Sequence, residues 1–116
     1  MSEKKIIKRK FKFMADFGGT WGWQTNFYND GTHNYYCIAD CFETEIDNGI
    51  ETAKISPVLA RKIEQWQSYF EINYDGYKQT DKFNSECFNK TGERLTELLK
   101  KQIGHLYDEI YYVGWY

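Results

Sequence analysis

Proline occurs once in this chain, histidine twice and cysteine three times, and no apolar run approaches the roughly 20 residues of a membrane-spanning helix. Each shortage closes off a class of protein. A single proline, nine glycines and no low-complexity tract exclude a proline-rich linker or a disordered chain. Cys37, Cys41 and Cys87 are odd in number and form no Cys-x-x-Cys pair, which argues against a disulfide scaffold and for reduced thiols. His33 and His105 lie in no recognisable motif with a nucleophile and an orienting acid, so no triad is expected. The opening MSEKKIIKRK is charged and no apolar segment follows it. We therefore expect no secretory leader, no membrane association and a cytoplasmic location.

What is present points to a packed domain. A chain of 116 residues buries one core and does not divide comfortably into two. Aromatic residues make up 19% of it. That exceeds what a minimal core needs, so part of them should lie in a half-exposed surface or groove. The net charge of −2 hides a split: residues 1–12 hold six of the 15 basic residues and one acid, leaving nine basic against 16 acidic residues, a balance of −7. The body is acidic, and nucleic acid should be repelled by most of it.

Ser56 to Phe70 carries the clearest pattern. Ser56 can cap a helix whose first residue is Pro57, and Leu59, Ile63, Trp66 and Phe70 recur at four, three and four to form one apolar stripe. A second helix is expected from about Asn84, with Phe88, Gly92, Leu95, Leu99 and Ile103 on one face. Gly104 should follow as a left-handed cap, and Gly92 should admit a close backbone neighbour. Ahead of the helices, Ile7, Arg9, Phe11 and Phe13 alternate with Lys8, Lys10, Lys12 and Met14, a strand with one apolar and one lysine face. Trp21, Trp23, Thr25 and Phe27 alternate again, Asn29-Asp30-Gly31 is turn chemistry, and a β-hairpin over 21–28 and 33–42 follows. Asp108–Tyr116 reads as a last strand, with apolar residues on both faces as in an interior position. The expected fold is a single α+β domain of order β-β-β-α-α-β, two helices on one face of an antiparallel or mixed sheet of about four strands.

Candidate chemistry is sparse. His33, Cys37 and Cys41 share a spacing of four, but on a strand that separates neighbours by about 13 Å, too far for one ion. Gly18-Gly19 and Gly22 lack the strand–loop–helix setting of a phosphate loop. On the first strand the phenylalanines and lysines face opposite ways, whereas a nucleic-acid stacking platform needs aromatics beside its cations. We expect no metal, no cofactor and no catalytic residues. The distinctive stretch is 40–51, where Asp40, Glu43, Glu45, Asp47 and Glu51 occur without a basic residue. It reads either as a solvated loop or as a docking surface for a basic partner, with tyrosines such as Tyr35, Tyr36, Tyr74 and Tyr77 as anchors.

Several of these residues carry a family likeness. Asp16-x-Gly18 followed by Trp21, the acidic stretch, Ser56-x-x-Leu59-x-x-x-Ile63-x-x-Trp66-x-x-x-Phe70 and Phe88-x-x-x-Gly92-x-x-Leu95-x-x-x-Leu99 together resemble a family of small bacterial proteins. That family includes immunity proteins of contact-dependent and polymorphic toxin systems. The resemblance spans about residues 11–113. It departs in Gly18-Gly19-Thr20-Trp21-Gly22-Trp23 and in the long Asn26–Asp40 hairpin. It implies a non-catalytic protein that binds a cognate toxin domain, for instance a nuclease, and occludes its active site; we expect it to act as a monomer. The family assigns no partner-binding residues here, since such surfaces differ with each toxin; the charge of the acidic stretch and the nearby tyrosines make partner contacts expected at Asp40, Glu43, Glu45, Asp47, Glu51, Tyr74 and Tyr77. The alternative is a small-ligand binder or enzyme with a groove lined by Trp21, Trp23 and tyrosines. A third reading is a module that associates through its lysine-bearing strand.

Overall fold

Two fully buried phenylalanines, Phe11 and Phe13, sit at the middle of the molecule, and the chain's other elements are arranged around the strand that carries them. The computed structural model describes residues 3–17, 21–37, 46–47, 50–51, 55–75, 78–79 and 83–115. In chain order the elements are β1 (Ile6–Phe13), β2 (Gly22–Tyr28), β3 (His33–Cys37), β4 (Ile46–Asp47), β5 (Ile50–Glu51), α1 (Pro57–Asn73), β6 (Tyr74–Asp75), β7 (Lys78–Gln79), α2 (Ser85–Ile103), a 3-10 turn (Gly104–Leu106) and β8 (Glu109–Tyr112). The main sheet has the order β3-β2-β1-β8, antiparallel except for the parallel β1–β8 pair. It is thus a mixed four-stranded sheet with two helices, an α+β domain in the expected order. Two short ladders, β4–β5 and β6–β7, are added to it.

The lysines of β1 lie on an interior strand, so they mark the solvent side of a sheet covered on one face and not a protected edge. Ile7 departs from the expected apolar face. The register between β1 and β2 shifts between Ile6 and Lys8, and Ile7 is left 66% exposed at that irregularity. The β2–β3 turn uses the chemistry its sequence offers. Gly31 takes φ +87°, and the Asp30 carboxylate accepts from the Thr32 amide and hydroxyl. The Thr32 hydroxyl above all, then its amide, holds the Asp30 carboxyl below its usual range. With the folded pKa below the unfolded one, this turn contributes its stability above the unfolded value and loses it as pH falls through the folded value.

Ser56 caps α1 by accepting from the Leu59 amide (3.2 Å), and Gln102 of α2 holds the cap in turn, taking the Ser56 N–H (2.8 Å) and donating to its hydroxyl (3.1 Å). Leu59, Ile63, Trp66 and Phe70 are all buried, as their spacing predicts. Asn84 caps α2 through the Cys87 amide, and Phe88, Leu95, Leu99 and Ile103 complete the core from that side. The Trp66 indole is the junction. It stacks on Phe13 of the sheet (centroids 4.8 Å) and on Phe88 of α2 (4.5 Å), and donates to the Phe88 carbonyl (3.0 Å).

Three expectations need correction. Gly104 is right-handed (φ −60°, ψ −26°), because α2 runs on into the 3-10 turn and the chain does not reverse at the glycine. The last strand is an edge, parallel to β1, and its apolar residues on both faces have another cause. Ile110 enters the core while Tyr111 joins the opposite, open face. Gly92 does admit a close neighbour, but it is a side chain and not a backbone. A Cβ there would lie 2.4 Å from the Tyr112 ring. The ring is held in place, its hydroxyl donating to Asn89 Oδ1 (2.5 Å), so it has little room to retreat. Gly92→Ala gains about 1 kcal/mol of helix propensity but overpacks the α2–β8 contact at a cost of about 1–3 kcal/mol. We expect a net loss of about 1 kcal/mol, read from a chemical melt, where an unchanged or raised midpoint would refute the fit.

Candidate functional site

The sheet has two unlike faces, and alternation along each strand decides which residues go where. The face under the helices carries Phe11, Phe13, Gly22, Gln24, Asn26 and Ile110, all buried. On β2 it is therefore the polar set that points inward, and the alternating Trp23, Thr25 and Phe27 face away from the helices. Gln24 and Asn26 are 1% and 0% exposed because their polar groups are met internally. Gln24 Nε2 donates to Asn26 Oδ1 (2.8 Å), and the Tyr107 hydroxyl donates to Gln24 Oε1 (2.6 Å). Among the described residues, no buried side-chain polar atom lacks a hydrogen-bond partner.

The opposite face collects what is left. Cross-strand register places its residues in three rows: Cys37, Trp23, Lys12 and Tyr111; then Tyr35, Thr25, Lys10 and Glu109; then His33, Phe27 and Lys8. None of these aromatics belongs to the core or packs against it. Trp23, Phe27 and Tyr111 are half-exposed and Tyr35 is 51% exposed. The Lys12 ammonium lies 4.6 Å from the Trp23 ring centroid and 5.2 Å from that of Tyr35. Lys10 pairs with Glu109 at 3.4 Å across the parallel ladder, an exposed bridge worth about 0–1 kcal/mol. Lysines and aromatics, which β1 alone separates, are therefore brought to one surface by β2, β3 and β8.

The residues expected to meet a partner are only partly described. Asp40, Glu43, Glu45 and Tyr77 lie outside the described residues. Asp47 and Glu51 belong to the paired strands β4 and β5. Tyr74 is half-buried at the end of α1, its ring centroid 5.1 Å from those of Phe70 and Trp115 and 5.3 Å from that of Phe83. Part of its surface is spent on the core margin, and only the remainder is left for a partner.

Trp21 and Trp23 do not share a groove. Trp21 is 6% exposed beside Phe13 on the helix side, whereas Trp23 faces the other way. A concavity of about 580 Å³ lies instead along α1 and α2, with Trp66, Tyr69, Phe88 and Leu95 as its apolar lining and Lys62 and Asn84 among its polar residues. Among the described residues no group of three or more His, Cys, Asp or Glu could hold a metal ion, and no helix is long and apolar enough to cross a membrane. His33 and Cys37 sit on β3, and Cys41 lies outside the described residues. Comparison with models of known families, with curated proteins and with solved structures finds no match for the chain.

Proposed function

We propose that this chain is an immunity protein, a non-catalytic cytoplasmic inhibitor that binds a cognate toxin domain and occludes its active site. The observation that carries the reading is where the resembling motif falls in the fold. Ser56, Leu59, Ile63, Trp66 and Phe70 cap and pack α1, Phe88 of α2 stacks on Trp66, Leu95 and Leu99 are buried in the shared core, Gly92 makes room for the Tyr112 ring, and Gln67 of α1 grips the backbone of Asp16 just after the first strand. The motif is thus a set of packing positions for one scaffold, which leaves the rest of the surface to suit a toxin. The stretch 40–51, rich in Asp and Glu, supplies charge for a basic cleft, and such complementarity raises association rates more than it raises affinity. A docked toxin should bury on the order of 800 Å² of this chain.

The test is co-expression in a bacterial host with the toxin domain encoded next to this chain's gene. Cells should survive with the intact chain, and Glu43→Lys with Glu45→Lys should slow toxin association and flatten its salt dependence. Equal killing with and without the intact chain would end the proposal. The concavity beside Trp66 favours a second reading, a small apolar ligand held between the helices. Displacement of a fluorescent apolar dye by candidate ligands, sensitive to Leu95→Trp, would support it.

A further inference from the structure

We propose that the open face of the main sheet binds single-stranded nucleic acid, with Lys8, Lys10 and Lys12 following the phosphates and Trp23 and Tyr35 stacking on bases. Three observations converge on that face. The lysines form one column on an interior strand, each separated from the next by two residues, about 7 Å along the strand. A repeat of that size is close to one nucleotide of a stretched strand. Beside this column in the register stand Trp23 and Phe27 on β2 and Tyr111 on β8, and the next strand adds Tyr35. Each row thus offers a cation together with a flat or half-flat surface, the combination that sequence-tolerant single-strand binding uses.

Charge selects the class of partner. Within the three rows the only carboxylate is Glu109, and Lys10 already pairs with it. The rest of the chain is acidic, so this column is where a linear polyanion finds positive potential. The Lys12 ammonium over Trp23 and Tyr35 is held by an exposed cation–π contact, a weak interaction. Swinging it onto a phosphate frees both rings for a base, and stacking a base gains more than that contact loses. An acidic protein segment would satisfy the lysines but would leave the aromatic faces without flat partners.

The experiment is fluorescence anisotropy of the purified chain with 5′-labelled 20-residue oligo-dT and oligo-rU, and with labelled poly-glutamate in parallel. Oligonucleotide binding is expected with Kd about 10 µM at low salt, and log K should fall with log salt at a slope of about −2 for three lysine contacts. Tyr35→Ala and Trp23→Ala should each weaken binding about tenfold and leave that slope unchanged. Lys8→Gln with Lys10→Gln and Lys12→Gln should bring the slope close to zero. Circular dichroism melts accompany every variant, and Tyr35→Ala, at an exposed edge, serves should Trp23→Ala fail to fold. Absence of oligonucleotide binding at about 100 µM protein, tenfold above the expected Kd, would overturn the proposal. So would affinity indifferent to Tyr35→Ala, or poly-glutamate binding as tightly with the same sensitivity to it, which would assign the face to an acidic protein. No toxin enters this assay, so its outcome is independent of the co-expression test.

Discussion

Trp66→Ala should lower the unfolding free energy by about 4 kcal/mol, the upper range for deleting a large core side chain. Three losses combine at one residue. The indole is 5% exposed, and its burial is forfeited. Its two stacks, on Phe13 and Phe88, tie α1 directly to the sheet and to α2. The bond from its N–H to the Phe88 carbonyl also goes. Phe13 is fixed in the sheet and Phe88 in a helix, so neither stacked ring shifts to refill the space. Against a total stability of about 5–15 kcal/mol for a domain of this kind, this change leaves a marginal fold. In guanidinium the midpoint should drop by about 1 M with the slope unchanged. Trp66→Phe keeps the stacking and loses the hydrogen bond and part of the volume, so about 1–2 kcal/mol is expected for it. Equal losses for the two variants would mean that the rings contribute little and that Trp66 is not the junction between the layers.

Asn89→Leu should cost about 3 kcal/mol, for a reason unrelated to volume. This side chain is 4% exposed and uses both ends of its amide. Nδ2 donates to the Ser85 carbonyl (2.8 Å) and the Trp115 carbonyl (2.7 Å), and Oδ1 accepts from the Tyr112 hydroxyl (2.5 Å) and the Trp115 N–H (3.1 Å). Leucine fills the space but answers none of those groups, and deserted buried polar groups cost about 1–3 kcal/mol each before any re-solvation. The damage should be local as well as global. Trp115 is further anchored through its indole N–H on the Ala15 carbonyl (2.7 Å), and Val113 through its amide on the Phe13 carbonyl (2.9 Å). Amide exchange should therefore accelerate at Trp115 more than at Val113, and a uniform acceleration across the chain would contradict the hub role.

The helices were legible in the sequence because their signals are local. A cap, a proline and a four-three-four stripe need no knowledge of the rest of the chain, and both helices begin where those signals lie. The sheet was legible in number and order but not in parity. Trp23 and Phe27 look like inward residues, and Gln24 and Asn26 like outward ones, until the Tyr107 hydroxyl, 83 residues away, arrives to pair with Gln24. Burial of an amide depends on a partner that local pattern does not reveal, and that one inversion moved the aromatics of β2 onto the lysine face. The candidate site was illegible for the same reason, since no single strand holds both of its ingredients. The placement of Ile110 and Tyr111 on opposite faces of an edge strand likewise depends on what each face meets, which a run of β-branched and aromatic residues does not disclose.

The parallel pairing of β1 with β8 sets a timetable for synthesis. Phe11 and Phe13 are made before the strand that completes their side of the sheet, where the Arg9 N–H donates to the Asp108 carboxylate across 99 residues, and that strand is made after everything else in the sheet. Until then a nascent chain shows an unpaired β1 edge and greasy rings, the condition in which strands find the wrong neighbours. Closing so wide a loop is slow, so the main sheet should complete only after β8 has been made.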